Sequence, residues 1–311
     1  MQPRPVFTFV LHSSFFIFYM LPFYTISQLS ELPENARLGV IGNPIAHSKS
    51  PQMQQPALDA AGIDARYVRL LADTEPGAFE ELLAKLADIG FIGVNVTVPF
   101  KKRAHDAAVT LDPLAKLSGA VNTLVRRDDG WHGYNTDGPG FAQAIEETAH
   151  RPLRELRVLI MGACGGAGSA LACQCALEGC PAITLVNRPR PELEALAAKL
   201  RTHTPTPITT LHFDFPELTN AVSQADLVVN ATSLGLHEGD PMPISPALLH
   251  PGQLVYEIVT HETALHRAAV ARGCTAATGQ GMLLWQGAIA FEHWFGQTPD
   301  VSAMREGLAN A

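Results

Sequence analysis

The chain has 311 residues, 47% of them hydrophobic, which is long for one domain and comfortable for two buried cores. Its 22 basic and 30 acidic residues leave a formal charge of −8, and no basic run exceeds Lys101-Lys102-Arg103, so a nucleic-acid groove is excluded. Five cysteines without scaffold spacing fit a reducing, cytoplasmic compartment rather than a secreted disulfide framework.

Arg4 is the only charge in residues 1–30, and six of the 14 phenylalanines fall within the first 23 positions. The stretch VFTFVLHSSFFIFYMLPF is interrupted by His12, Ser13 and Ser14, lacks a small-residue cleavage site, and is short for a membrane span. It reads as an extension upstream of the fold, with Met20 as the natural start. A targeting segment and an added strand or helix are the alternatives.

From Arg37 the pattern becomes regular. RLGVIG, RYVRLL and FIGVNVTV read as strands, and PQMQQPALDAAG and PGAFEELLAKLADIG read as helices between them. A second series starts near Glu155. It runs RVLIMG, a glycine-rich turn, helix GSALACQCALEG, strand AITLVNR, helix PELEALAAKLRT and strand ADLVVNAT. QLVYEIV and HETALHRAAVARG complete a strand–helix pair, and the chain from Gly281 is helical. Alternation of this kind implies parallel βαβ units, here in two α/β lobes dividing between Gly138 and His150. We expect a substrate lobe over 31–138, completed by helices in 281–311, and a Rossmann-type dinucleotide lobe over 139–280.

In the second lobe RVLIMG runs into Gly162-Ala163-Cys164-Gly165-Gly166-Ala167-Gly168 and then a helix. Glycines let the backbone approach a pyrophosphate, and the helix start offers unpaired amides. The strict G-x-G-x-x-G spacing fails at Cys164, so the strand–turn–helix context carries the reading. The next strand ends in Val186-Asn187-Arg188 where an NAD site usually carries an acid. An arginine there suits a ribose 2′-phosphate, so NADP is expected, with Arg190 close by.

In the first lobe Ser48 and Ser50 stand in an S-x-S arrangement on a pre-proline segment that reads as extended. Two hydroxyls pointing one way can donate to one carboxylate, although Ser-Pro also caps helices. GVNVTVPFKK raises a sharper question, because an apolar strand stops at Pro99-Phe100 and presents Lys101 and Lys102.

GNPIAHSKSP, NVTVPFKK, SGAVNTL at 118–124 and GYNTDG at 133–138 resemble the shikimate dehydrogenase family, in its order and with similar spacing. VNR, NATSLG at 230–235 and GQGMLLWQ at 279–286 continue the resemblance, which runs from about Arg37 to the C-terminus. It implies NADPH-dependent, reversible reduction of 3-dehydroshikimate to shikimate, within aromatic amino-acid biosynthesis. Ser48 and Ser50 would hold the substrate carboxylate. Thr97, Asn122, Asp137 and Gln286 would bind the ring hydroxyls, and Lys101 would be the acid/base paired with Asp137. For the cofactor it implies the turn Gly162, Ala163, Gly165, Gly166 and Ala167, then Asn187 and Arg188 at the 2′-phosphate. Gly279 and the Ile258 backbone would lie near the nicotinamide.

The chemistry agrees, since hydride addition to a ketone develops an alkoxide that needs a proton donor or cation within reach. Lys101, held at the strand tip by the Pro-Phe turn, meets that need, while Lys102 reads as surface. Two positions depart from the family pattern. Glu257 stands for an aspartate and Thr260 for a tyrosine that lines the substrate pocket, which leaves substrate choice open toward quinate or an amino analogue. A non-catalytic sensor on the same fold would be expected to lack Lys101 or Asp137.

The remaining candidates read as ordinary. His261 and His266 in H-E-x-x-x-H are five apart and would diverge on a helix, so no metal is expected. Cys173, Cys175 and Cys180 read as packing in an Ala/Leu-rich helix. His47 reads as a loop residue supporting the serines, and Met282, Leu283, Leu284, Ala288 and Phe291 as core or lobe–lobe contact. No membrane or nucleic-acid partner is expected beyond the small-molecule substrate. A homodimer is compatible with the sequence.

Overall fold

The computed structural model describes residues 23–311. The stretch 1–22, including Met20 as an alternative start, lies outside the described residues.

The first sheet is formed by β1 (Phe23–Tyr24), β2 (Ala36–Gly42), β3 (Arg66–Leu71), β4 (Gly93–Val96), β5 (Thr110–Leu111), β6 (Thr123–Arg127) and β7 (Gly130–Tyr134). Their order across the sheet is β1-β3-β2-β4-β6-β7-β5. The first four run parallel, as strand–helix alternation requires, with α1 (Ser50–Ala60) and α2 (Ala78–Asp88) as crossovers. The other half departs from the expected pattern, because β6 and β7 form an antiparallel hairpin that pairs β6 against β4. Asp128, Asp129 and Gly130 make the reversal, a turn composition that was present in the sequence. The extension assigned to residues 1–30 overlaps β1, which pairs Phe23 with Arg69 and Tyr24 with Leu70.

The second sheet holds β8 (Arg157–Met161), β9 (Ala182–Asn187), β10 (Ile208–His212), β11 (Leu227–Asn230), β12 (Leu254–Glu257) and β13 (Thr275–Ala277). All are parallel in the order β10-β9-β8-β11-β12-β13. Counted from β8 this is 3-2-1-4-5-6, the doubly wound order, whose ligand crevice opens where the winding reverses between β8 and β11.

Two helices join the lobes. α5 (Asp137–Ala149) leaves the first, and α10 (Gln280–Phe295) returns to it along α5. Their crossing is close because Gly140 has no side chain, and a Cβ there would lie 2.5 Å from the Gln286 amide nitrogen. α10 is fixed to the first lobe by two side-chain bonds. The Trp294 indole donates to the Leu124 carbonyl at 3.2 Å, and the Gln54 amide donates to the Gly287 carbonyl at 2.9 Å. α11 (Val301–Ala309) then packs on α1, so the C-terminal helices are built into the substrate lobe. Phe141, Leu171, Leu185 and Tyr256 belong to a core shared by α5 and the second sheet, all fully buried. Among the described residues no helix is long and apolar enough to cross a membrane.

Candidate active site

A cavity of about 430 Å³ lies between the lobes, at the ends of β2 and β4 on one side and β12 on the other. Every residue assigned to substrate from the sequence lines it: Ser48, Ser50, Thr97, Lys101, Asn122, Asp137 and Gln286.

β4 stops at Val96, and a Val98–Pro99 cis peptide turns the chain. Phe100 is 1% exposed and stacks on Phe79 of α2 with ring centroids 5.2 Å apart. That buried ring anchors the start of α3 (Lys101–Ala107), so Lys101 opens a helix instead of ending a strand as the sequence suggested. Its carbonyl also accepts the Val121 amide at 2.9 Å, which ties the helix to the segment carrying Asn122. Lys101 Nζ meets Asp137 Oδ2 at 2.6 Å, with both side chains largely buried. Lys102 pairs with Asp106 on the exposed face, at 2.8 Å.

Asp137 is held from its other oxygen. Asn122 Nδ2 donates to Asp137 Oδ1 at 2.9 Å and to Thr136 Oγ1 at 3.0 Å, while the Thr136 amide donates to Asn122 Oδ1 at 2.7 Å. Gln286 Oε1 lies 3.5 Å from Asn122 Nδ2, brought there by the close crossing at Gly140. The amide of Gln286 donates to the Leu283 carbonyl at 2.8 Å, fixing which end of its side chain faces the pocket.

The serine pair sits differently from the expected extended segment. Ser50 is the first residue of α1, and Ser48 lies in the turn before it. Their hydroxyl oxygens are 3.2 Å apart, and the Ser50 amide donates to Ser48 Oγ at 3.3 Å. The hydroxyls therefore converge at a helix N-terminus, where unpaired amides and the helix dipole favour an anion.

Several buried polar residues behind these groups were not singled out from the sequence. The Tyr67 hydroxyl donates to Asn95 Oδ1 at 2.7 Å, and Asn95 Nδ2 donates to Thr123 Oγ1 at 3.0 Å. Thr123 Oγ1 lies 3.2 Å from Thr136 Oγ1, which closes the path to Asn122 and Asp137. Burial holds the Tyr67 phenol well above its ordinary value, so it stays a neutral donor. Arg69, two residues further along β3, donates to the Ser48 carbonyl from Nε at 2.9 Å and from Nη2. The signal for Asn95 was available, since period-two alternation puts it on the same face of the strand as Thr97.

On the second lobe, Ile258, Thr260 and Gly279 line the same cavity, joined by Met282 from the start of α10. A Cβ on Gly279 would lie 2.2 Å from the Ile258 carbonyl oxygen, so these two backbones are in direct contact. The glycine turn occupies the reversal point of the sheet. Gly162 follows β8 with φ +79°, and a Cβ there would lie 2.7 Å from the Ala231 carbonyl oxygen after β11. Ala163 is buried beneath the turn, Gly165 precedes α6 (Gly166–Glu178), and a Cβ on Gly166 would meet only open space. The turn thus accommodates Cys164, where the strict glycine spacing fails, while leaving the first amides of α6, from Gly166 and Ala167, open for phosphate oxygens. At the end of β9, Asn187 is buried and donates to the Arg188 carbonyl at 3.3 Å. Arg188 is exposed and has no ion pair with any described residue, whereas Arg190 lies 3.4 Å from Glu192. An unneutralised guanidinium beside an open helix start fits a dinucleotide with an extra phosphate.

Glu257 is fully buried at the end of β12 and stays out of the cavity, accepting from Asn230 Nδ2 at 2.7 Å and from Thr263 Oγ1 at 2.6 Å. Burial pushes its carboxyl above the usual range, with these two bonds pulling it back. His261 precedes α9 (Ala264–Ala271), so the two histidines do not share a helix as expected from the sequence. Its Nε2 meets the Gly235 carbonyl at 2.9 Å. No cluster of three metal-ligating side chains occurs among the described residues. Cys173 and Cys175 are buried in α6, and Cys180 lies just beyond its end with Sγ donating to the Leu153 carbonyl.

Two family profiles match the chain, the shikimate dehydrogenase substrate binding domain over residues 40–124 and the shikimate 5′-dehydrogenase C-terminal domain over residues 279–308. A shikimate dehydrogenase (NADP(+)) of Rubrobacter xylanophilus is 38% identical over 89% of this chain and 96% of its own length. A crystal structure of shikimate 5-dehydrogenase from Listeria monocytogenes, in complex with shikimate and NAD, superposes with a TM-score of 0.81 at 32% identity, covering 88% of this chain and 97% of that one. Quinate dehydrogenase from Corynebacterium glutamicum, in complex with NAD, gives a TM-score of 0.81 at 28% identity, over 89% and 99%. By sequence and by architecture, the chain belongs to the shikimate dehydrogenase family.

Proposed function

We propose that the chain is an NADP-dependent shikimate dehydrogenase of the cytoplasm, reducing 3-dehydroshikimate to shikimate reversibly. The observation that carries this reading is the Lys101–Asp137 pair at 2.6 Å, set in a cleft opposite the backbone of Gly279 and Ile258.

Bound NADPH would supply a hydride, held by the glycine turn, Asn187 and Arg188. The rest of the chemistry belongs to side chains. Ser48 and Ser50 donate to the carboxylate at the start of α1 and fix the ring's orientation. Asn122, Asp137, Thr97 and Gln286 engage the ring hydroxyls and the ketone. As the ketone is reduced, its oxygen gains negative charge beside the Lys101 ammonium, which donates a proton to it. Asp137 keeps that ammonium oriented, and Asn122 keeps Asp137 oriented. In the reverse direction the neutral Lys101 amine takes the proton back.

Thr260 favours a second reading. It stands where the family resemblance carries a tyrosine and it lines the cavity, so quinate, with a bulkier ring substitution, is the competing substrate. The test is nicotinamide reduction followed by absorbance, with shikimate or quinate offered against NADP or NAD in all four pairings. Turnover fastest with shikimate and NADP supports the proposal. A quinate preference would move the substrate assignment to Thr260, and turnover in none of the pairings would sink it.

A further inference from the structure

We infer that Asn230 is a positioning residue for the cofactor wall, holding the glycine turn and the Ile258 backbone at one fixed spacing, so that its loss weakens NADP and NAD alike. This rests on the reading of that wall as a dinucleotide site.

Asn230 ends β11 and is fully buried. In the sheet it lies level with Met161 of β8 on one side and Glu257 of β12 on the other. The next residues along those two strands are Gly162 and Ile258. Asn230 therefore stands at the winding reversal, between the two backbones assigned to the cofactor. A primary amide has two N–H donors and an oxygen with two acceptor sites, and here all four are used. Nδ2 donates to Glu257 Oε2 at 2.7 Å and to the Leu234 carbonyl at 3.1 Å. Oδ1 accepts from the Thr232 amide at 3.1 Å and from the Thr232 hydroxyl at 2.7 Å.

Those bonds shape the backbone on either side. Closing on Thr232 and Leu234 folds residues 231–234 back over the strand end, and the Thr232 hydroxyl, which accepts the Leu234 amide at 3.1 Å, fixes that fold. The Ala231 carbonyl and the Thr232 amide then lie against Gly162, where a Cβ would meet them at 2.7 and 2.8 Å, so the glycine turn rests on this loop. On the other side the Asn230 carbonyl accepts the Ile258 amide at 3.1 Å, and Ile258 lines the cavity against Gly279. The bond to Glu257 is itself anchored, since the second Glu257 oxygen accepts from Thr263, the cap of α9. A buried network with every member satisfied rigidifies what it touches. None of these bonds involves Arg188. Asn230 thus supports the pyrophosphate and nicotinamide portions of the site, which NADP and NAD share, and leaves the extra phosphate to the arginine.

The experiment exchanges the two partners. Asn230→Asp sets a carboxyl against the Glu257 carboxyl, whereas Asn230→Asp combined with Glu257→Gln restores a donor facing an acceptor, with the roles reversed. At about pH 8 the single variant should raise Kd for NADP and for NAD by about tenfold or more, a loss of about 1.4 kcal/mol, read by calorimetric titration without substrate. The double variant should return both to within about threefold of the parent, a coupling that independent sites do not show. Kd for shikimate should change less than about threefold in either. A residue that only stabilised the fold would lower the unfolding temperature and leave both nucleotide Kd values unchanged, and that result would overturn the inference. A loss confined to NADP, or a double variant no better than the single one, would overturn it as well. If Asn230→Asp does not fold, Asn230→Ser, which removes the bonds without adding charge, is read against the same limits. A parent that binds both nucleotides but reduces neither would sink the proposed activity and leave this inference to be judged by the titrations.

Discussion

The two walls of the cleft are made of different material. The substrate-lobe wall is side chain: a buried, hydrogen-bonded group running from Tyr67 through Asn95, Thr123 and Asn122 to Asp137, with Lys101 at its open end and the Ser48–Ser50 pair beside it. The second-lobe wall is mostly backbone, in the Gly162 turn, the contact of Gly279 with Ile258, and one exposed arginine. A wall of interlocked side chains fixes positions to a fraction of an ångström and discriminates sharply, because an unmatched buried polar group is expensive. A backbone wall accepts any ligand carrying the right phosphates, and its selectivity falls to the few side chains at its rim. Substitutions on the first wall should therefore act on rate and substrate choice, and those at the glycine turn and Arg188 on cofactor affinity, with Thr260 the one second-wall side chain set to act on substrate choice.

The largest effect is expected at Lys101. Lys101→Ala should lower kcat by about 10²- to 10⁴-fold, the usual worth of a positioned proton donor, with KM for NADP nearly unchanged. Steady-state kinetics with shikimate and NADP measures both. On the other wall, Arg188→Ala should weaken NADP by about ten- to a hundredfold, the loss of a charge-assisted bond of about 1.5–3 kcal/mol, and leave NAD almost untouched. Paired KM values would break the comparison if both cofactors weakened equally.

Gly140→Ala tests how the walls are joined. The new Cβ would lie 2.5 Å from the Gln286 amide nitrogen and force α5 and α10 apart. Overpacking of this kind costs about 1–3 kcal/mol, so thermal unfolding should shift down by several degrees. Activity should fall with it, because Asp137 and Gln286 separate. The smallest effect belongs to Glu257, which is buried but outside the cavity. Its carboxyl is raised in the folded chain, chiefly by burial, so the native state binds more protons than the unfolded one across the carboxylate range. That contribution is present below the unfolded value and is lost as pH rises through the folded one. Against Glu257→Gln, the parent's unfolding temperature should decline as pH rises from about 4 to about 7, while kcat differs little.

Much of this arrangement was legible in the sequence, unevenly across the two walls. Ser48, Thr97, Asn122 and Asp137 sit in short motifs, and the βαβ alternation foretold two lobes and a parallel second sheet. The β6–β7 hairpin is harder to read, because its strands are short and only the Asp-Asp-Gly turn marks it, and with it goes the antiparallel half of the first sheet. Lys101 reads as a strand tip because nothing local signals that α3 starts directly after Pro99-Phe100. The anchor is the Phe79 ring, on a different helix. Tyr67 and Arg69 are invisible for a related reason. A polar side chain on an apolar strand looks exposed until the topology shows which helix covers that face, here α1.

In the proposed function Lys101 moves the proton while the rest of the cleft holds the substrate. Single-turnover absorbance, with Lys101→Ala or the parent mixed against saturating shikimate and NADP, tests it most directly when shikimate affinity is measured on the same samples by calorimetry. The variant is expected to bind shikimate within about tenfold of the parent, while its reduction phase slows by about a hundredfold or more. A reduction phase at the parent rate would contradict it.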